Sequence, residues 1–321
     1  MKVTSIGNSP LMKHGLIPAF KNMGYETDYF PFRSWHTFDE DVGKDLLTKD
    51  FLNKKTDVLI FGGYAPKYFD ILPELCKQHG VGFIYWAIED PLGFNKTLPL
   101  AKKADYVFTT TKESIDEYAK EGIQAALLLF ACNPNYHKSG EYKKAYDLDL
   151  ALVASHYRWE ARRKGYKTIL EAAIDSQKSF KVWGAGWDTS LGKQTLTNPN
   201  LFHGYFPNGQ LPNLCASAKI VLGIQCDDSS FTQTSMRPYE TLGCGGFHLT
   251  QRTKATINIF EEGKHLVTAD SKEEALEKIL YYINHAQERE RISRLGQQFV
   301  YKYHTYEQRV KEIILPKIGI L

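Results

Sequence analysis

The chain has 321 residues, of which 43% are hydrophobic and 24% charged, and its 40 Lys and Arg against 37 Asp and Glu leave a net charge of +3. That length fits about two domains of ~150 residues, the 13% aromatic content argues against disorder, and so even a charge balance argues against wholesale binding along a phosphate backbone. The first residues, Met1 to Asn8, lack the apolar core of a signal peptide, the longest apolar run (125–132) is far short of a bilayer span, and the cysteines at 76, 132, 215, 226 and 244 form no Cys-x-x-Cys pair. A soluble, reduced, cytoplasmic protein without a disulfide framework or structural zinc is therefore expected.

In chain order, residues 2–7 read as a buried strand ending in a small-residue loop, 14–23 as a helix stopped by Gly24, and 26–32, 57–61, 82–88, 106–109 and 126–130 as further strands. Thr110-x-x-Glu113 has the spacing of a capping box. The turn-rich stretch after Cys132 reads as a linker, set at residues 136–148. The rhythm then restarts. Strands are expected at 148–154, 180–183, 201–205, 219–224 and 247–250. A helix over 158–174 carries Tyr166, Ile169, Leu170, Ala173 and Ile174 on one face. Another begins near Arg237, and Ser271-x-x-Glu274 caps a third. Continuous apolar strands alternating with amphipathic helices predict parallel sheets covered on both faces. Ligands of such sheets lie beyond the carboxyl ends of the strands, which directs attention to the loops there.

Arg237-Pro238-Tyr239-Glu240-Thr241-Leu242-Gly243-Cys244-Gly245-Gly246-Phe247 resembles a segment of GT-B glycosyltransferases, and most nearly that of the CgeB-like (spore maturation) glycosyltransferase-like family. Trp86-x-x-Glu89-Asp90-Pro91, residues 104–110, Trp183-Gly184-x-Gly186-Trp187 and Tyr303-His304-Thr305-Tyr306-x-x-Arg309 are similar to that family's other motifs, in the same order. The resemblance implies two Rossmann-like α/β domains facing a central cleft. Residues 1–135 would form the acceptor domain and 149–300 the nucleotide-sugar domain. A C-terminal helix, 301–321, would cross back to the first domain.

It implies a metal-independent glycosyltransferase that takes a sugar from a nucleotide sugar, UDP-linked by preference, and needs no other cofactor. The acceptor, a glycan, a protein or a small molecule, stays open, as do the stereochemistry and the oligomeric state. Glu240 would accept hydrogen bonds from the ribose diol; its alternative reading is a helix-start carboxylate favoured by the macrodipole. Arg237 and Arg158 would meet the diphosphate, although Arg158 equally fits a solvated basic helix face. Gly7, Asn8, Gly184 and Gly186 would let backbone approach the donor. Trp187, which equally fits the core, would stack on it, and His203 and Tyr205 would border the base. Glu89, Asp90 or His14 would deprotonate the acceptor; alternatively Asp90-Pro91 is a turn and Glu89 an ion-pair partner.

Retaining relatives carry a Glu-x7-Glu pair whose first member falls on Thr232 here, so a retaining mechanism does not carry over. A metal at Asp227-Asp228 has little support, because GT-A metal sites use Asp-x-Asp. The alternative function is a non-catalytic nucleotide- or glycan-binding relative acting in spore assembly. A periplasmic-type binding protein and a DNA-modifying sugar transferase fit the missing signal sequence and the balanced charge less well.

Overall fold

Six strands alternate with helices in the first part of the chain: β1 (Lys2–Ile6), β2 (Glu26–Phe30), β3 (Val58–Gly62), β4 (Gly82–Ala87), β5 (Tyr106–Thr109) and β6 (Ala125–Leu127). Five follow: β7 (Leu150–Val153), β8 (Phe180–Trp183), β9 (Ile220–Gly223), β10 (His248–Gln251) and β11 (Val267–Ala269). The structure is a computed structural model that describes residues 1–7, 9–30, 56–64 and 71–319. It divides into two units, Met1–Leu129 with Tyr306–Leu321, and Phe130–Thr305.

The first unit holds a parallel sheet of order β2-β1-β3-β4-β5-β6. β4 shows why the sheet is buried on both faces. Phe83 and Tyr85 enter one core with Leu59, Phe61 and Leu100, while Ile84 and Trp86 are buried on the opposite side of the pleat. Trp86 donates its indole N–H to the Leu128 carbonyl at 3.0 Å. Residues from the end of the chain complete this unit. The Tyr306 ring lies over Gly15, where a Cβ would stand 2.6 Å from it, and Arg309 Nε donates to the Leu129 carbonyl at 3.2 Å.

The second unit holds a parallel sheet of order β11-β10-β9-β7-β8. Leu150, Leu152, Val182, Leu222 and Leu249 pack against Ile169, Leu170, Ile279 and Ile283 on one face. Ala151, Val153, Trp183 and Val221 pack against Phe206, Leu211 and Leu214 on the other. Both sheets share one winding. The chain places its second strand outside the first, then crosses to the first strand's other edge, which leaves a topological switch point between β1 and β3 and another between β7 and β9.

Some local expectations are corrected. Residues 201–205 form no strand but a single bridge, Val182 to Phe202, because Gly204 turns the chain with a φ of +74°. β11 has no counterpart in the sequence reading. The helix after β5 starts from Thr111 rather than Thr110, and no side chain caps it. Ser271 does cap its helix, accepting the Glu274 N–H at 3.1 Å. Residues 136–148 are not a bare tether: within the second unit Glu141 N–H donates to Asn213 Oδ1 at 3.0 Å and Lys143 N–H to Ser217 Oγ at 2.8 Å. No described helix is long and apolar enough to cross a membrane.

Candidate active site

At the carboxyl ends of β7 and β9, main-chain carbonyls accept hydrogen bonds from two arginines. Arg162, 3% exposed, donates from its two terminal nitrogens to the Ile224 carbonyl at 2.6 Å and the Ser155 carbonyl at 2.7 Å. Arg237 Nε donates to the Val153 carbonyl at 3.2 Å, and its Nη1 lies 2.9 Å from Glu240 Oε2. Both residues belong to helix Arg237–Gly243, where a spacing of three puts side chains on one face. Glu240 is only 6% exposed, and its other oxygen, Oε1, faces His137 Nε2 at 3.6 Å. Arg237 and His137 thus lie against the two oxygens of one enclosed carboxyl group.

The loop between β9 and this helix is built by its own polar groups. Asp227 accepts the N–H of Ser229 at 3.1 Å and of Ser230 at 2.7 Å, and the Ser229 hydroxyl at 2.8 Å. Ser230 Oγ in turn accepts the Thr232 and Gln233 N–H groups. Gln225 ties the loop to β10, donating to Thr250 Oγ1 at 2.8 Å and accepting the Ser235 N–H at 2.7 Å. Asp227 is thus consumed as a turn former, and Asp228 faces Lys164 at 3.8 Å. Among the described residues no group of three or more His, Cys, Asp or Glu side chains gathers as a metal site.

Several residues singled out in this unit have other work. Trp187 is buried; its indole N–H donates to the Ala154 carbonyl at 2.6 Å, and its ring packs edge-on against His156 and Tyr166. No face of it is left for a nucleotide base. Gly184 and Gly186 have φ of +133° and +85°, and a Cβ on them would meet the Ala154 carbonyl oxygen at 2.3 Å and the His156 carbonyl oxygen at 3.0 Å. The close backbone approach that demands glycine is therefore to the neighbouring loop. Arg158 is exposed, and the inward-facing cation is Arg162 one turn on. The helix pattern held that signal: Arg162 lies four and seven residues before Tyr166 and Ile169, on the apolar stripe. His203 is exposed beside the Trp183 ring, with burial and then the Lys181 charge lowering its pKa, and Tyr205 is 81% exposed.

In the first unit, Gly7 turns the chain at φ +143° and donates its N–H to the Phe30 carbonyl at 3.0 Å. Asn8 lies outside the described residues, and His14 is half-buried in the segment Leu11–Leu16. Asp90 is wholly buried and accepts hydroxyls from Thr97 at 2.9 Å, Thr109 at 2.7 Å and Tyr118 at 3.0 Å. Burial pushes its carboxyl upward, and the three hydroxyls oppose that. Buried and hydrogen-bonded from three elements, it is the structural centre of this turn. Glu89 beside it is exposed. Its carboxyl is also raised, by the protein packed around it and then by the Asp90 charge, with Lys96 opposing. Gly93 makes room for this turn, since a Cβ there would stand 2.7 Å from Glu89 Cβ.

Two Rossmann-like sheets of this winding, the second with a helix between β9 and β10 that carries an enclosed glutamate, define the architecture. The fold is GT-B. Residues 162–314 match the family model described as glycosyl transferase-like. Spore protein CgeB of Bacillus subtilis (strain 168) is 20% identical over 245 residues, covering 72% of this chain and 74% of CgeB. Among solved GT-B structures, Anabaena HepE in complex with UDP-glucose aligns over 100% of both chains at a TM-score of 0.66 and 12% identity. A glycosyltransferase from Rickettsia africae aligns over 99% of this chain and 98% of its own at 0.62 and 10%. In all of these the likeness extends well beyond the matched segment 162–314, into the first unit.

Proposed function

We propose that this chain is a glycosyltransferase that draws on a UDP-sugar held by the second unit. The observation that carries the reading is the enclosed carboxylate of Glu240, anchored by Arg237 at the β7–β9 switch point. A vicinal ribose diol presents two O–H donors, and a charged, partly desolvated carboxylate is the acceptor that binds such a pair strongly. Arg237 turns the rest of its guanidinium toward the diphosphate, which supplies positive charge for the leaving group without a divalent cation. That a UDP-glucose complex of HepE shares this fold supports the choice of donor.

In the transfer step the acceptor hydroxyl oxygen bonds to the anomeric carbon. The bond from that carbon to the diphosphate oxygen breaks, and UDP leaves with its electron pair. Glu89, exposed and with a raised carboxyl, is the residue assigned to take the hydroxyl proton. His14 is the second candidate for that role.

A second reading, a nucleotide- or glycan-binding protein without turnover, is favoured by Thr232 and by the consumption of Asp227 within its own loop. Donor hydrolysis in the presence of a chelator, followed by calorimetry with UDP, separates the two. The transferase releases UDP from a UDP-sugar, and Glu240→Gln weakens UDP binding roughly 10- to 100-fold. Tight UDP binding with no release across a donor panel leaves the second reading.

A further inference from the structure

The segment that follows Cys132 reads as a linker, yet it delivers a side chain to the donor residue. Asn133 organises it. The Asn133 carbonyl accepts the N–H groups of Tyr136 and His137 at 2.9 and 2.6 Å, and Asn133 Oδ1 accepts the Asn135 N–H at 3.0 Å. The Asn133 N–H donates to His137 Nδ1 at 3.0 Å. That bond fixes the ring: Nδ1 is the acceptor, so Nε2 carries the proton. Nε2 is the atom that faces Glu240 Oε1 at 3.6 Å.

Gly243 admits the ring to this place. It lies one turn beyond Glu240 on the same helix face, and a Cβ on it would stand 3.1 Å from His137 Cβ and 3.0 Å from Cys132 Cβ. Tyr301 closes the arrangement, its hydroxyl lying 2.9 Å from both the His137 and the Gly243 carbonyls. His137 itself is 4% exposed.

We propose that His137 is a positioning residue for Glu240. Arg237 holds Oε2 and the His137 N–H dipole orients Oε1, so the carboxylate presents its remaining lone pairs in one plane to the ribose 2′ and 3′ hydroxyls. The proposal rests on the donor-site reading above. It assigns to His137 a share in recognising the diol and none in binding the base or the phosphates.

Two substitutions separate the ring's two nitrogens. His137→Asn keeps an acceptor for the Asn133 N–H and removes the reach to Glu240. His137→Gln extends an amide donor toward Oε1. Calorimetry on the full chain compares UDP with 2′,3′-dideoxy-UDP, and thermal melting reports whether each variant is folded. Wild type prefers UDP; His137→Asn loses about tenfold in UDP affinity while its dideoxy-UDP affinity stays within about twofold, and His137→Gln keeps most of the preference. An unchanged preference in His137→Asn, or an equal loss for both nucleotides, overturns the proposal and leaves the donor site standing. Absence of UDP binding by wild type overturns the donor-site reading and this proposal together.

Discussion

The two sheets are wound alike, but the second unit closes its strand ends around a buried cation and the first around a buried anion. Arg162, at the ends of β7 and β9, is served by main-chain carbonyls. Asp90, just beyond β4, is served by side-chain hydroxyls from Thr97, Thr109 and Tyr118. The difference follows from what each place offers. Strand ends that stop short leave carbonyl oxygens, which suit a guanidinium with donors in a fixed fork. At the end of β3 in the first unit an apolar group is found instead: the Met12 terminal methyl lies 2.3 Å from where a Cβ on Gly62 would stand. The negative group there sits beside the switch point, among hydroxyls. A buried ionisable side chain is thus a structural element in both units, Arg162 in the second and Asp90 in the first.

The largest effect that tests this contrast is expected at Glu89. Glu89→Gln is predicted to lower transfer by roughly 10²- to 10⁴-fold without weakening UDP binding. Because the carboxyl is held above its ordinary value, the ionised base appears only above that raised pKa. Activity therefore rises with pH through it, and this acid limb is absent in Glu89→Gln. A pH–rate profile with the same limb in both proteins removes Glu89 from the role.

Next in size is the cation hub. Arg162→Met leaves a buried carbonyl and a part-buried one without this donor, and urea unfolding should show a loss of about 3 kcal/mol. Retention of full stability would mean that the strand ends need no cation. The anion hub should yield less. Asp90→Asn keeps an acceptor for some of the three hydroxyls and is expected to cost about 1–2 kcal/mol at neutral pH. The sign with pH distinguishes it. Since the folded pKa of Asp90 is raised, the native state holds its proton at pH values where the unfolded chain has released it. The stability advantage of wild type over Asp90→Asn should then grow as pH falls through the raised pKa, as measured by urea midpoints. A shrinking advantage would place the folded pKa below its ordinary value.

The strand positions were legible because parallel strands buried on both faces are written as unbroken apolar runs, as Phe83 to Ala87 is. The strand expected at 201–205 failed because an apolar pair, Leu201 and Phe202, does not reveal that Gly204 will take a left-handed conformation. Arg237 and Glu240 were visible as a local motif spaced three apart on one helix. His137 was not, since its tie to Glu240 spans about a hundred residues of chain and depends on the bare face of Gly243. Trp187 shows the converse limit: an aromatic after a Gly-x-Gly turn reads equally as a stacking surface or as core, and only the destination of its N–H decides.

The first unit is assembled from two separated stretches of chain, the second of which begins at Tyr306, whose ring lies over Gly15. During synthesis the second unit emerges as one continuous stretch, able to fold while its neighbour still lacks the Tyr306 ring and the Arg309 side chain. Truncation after residue 305 would therefore injure the beginning of the protein and spare the part nearest the cut. For expression work, a tag or fusion at the carboxyl end should be judged by its effect on the amino-terminal sheet.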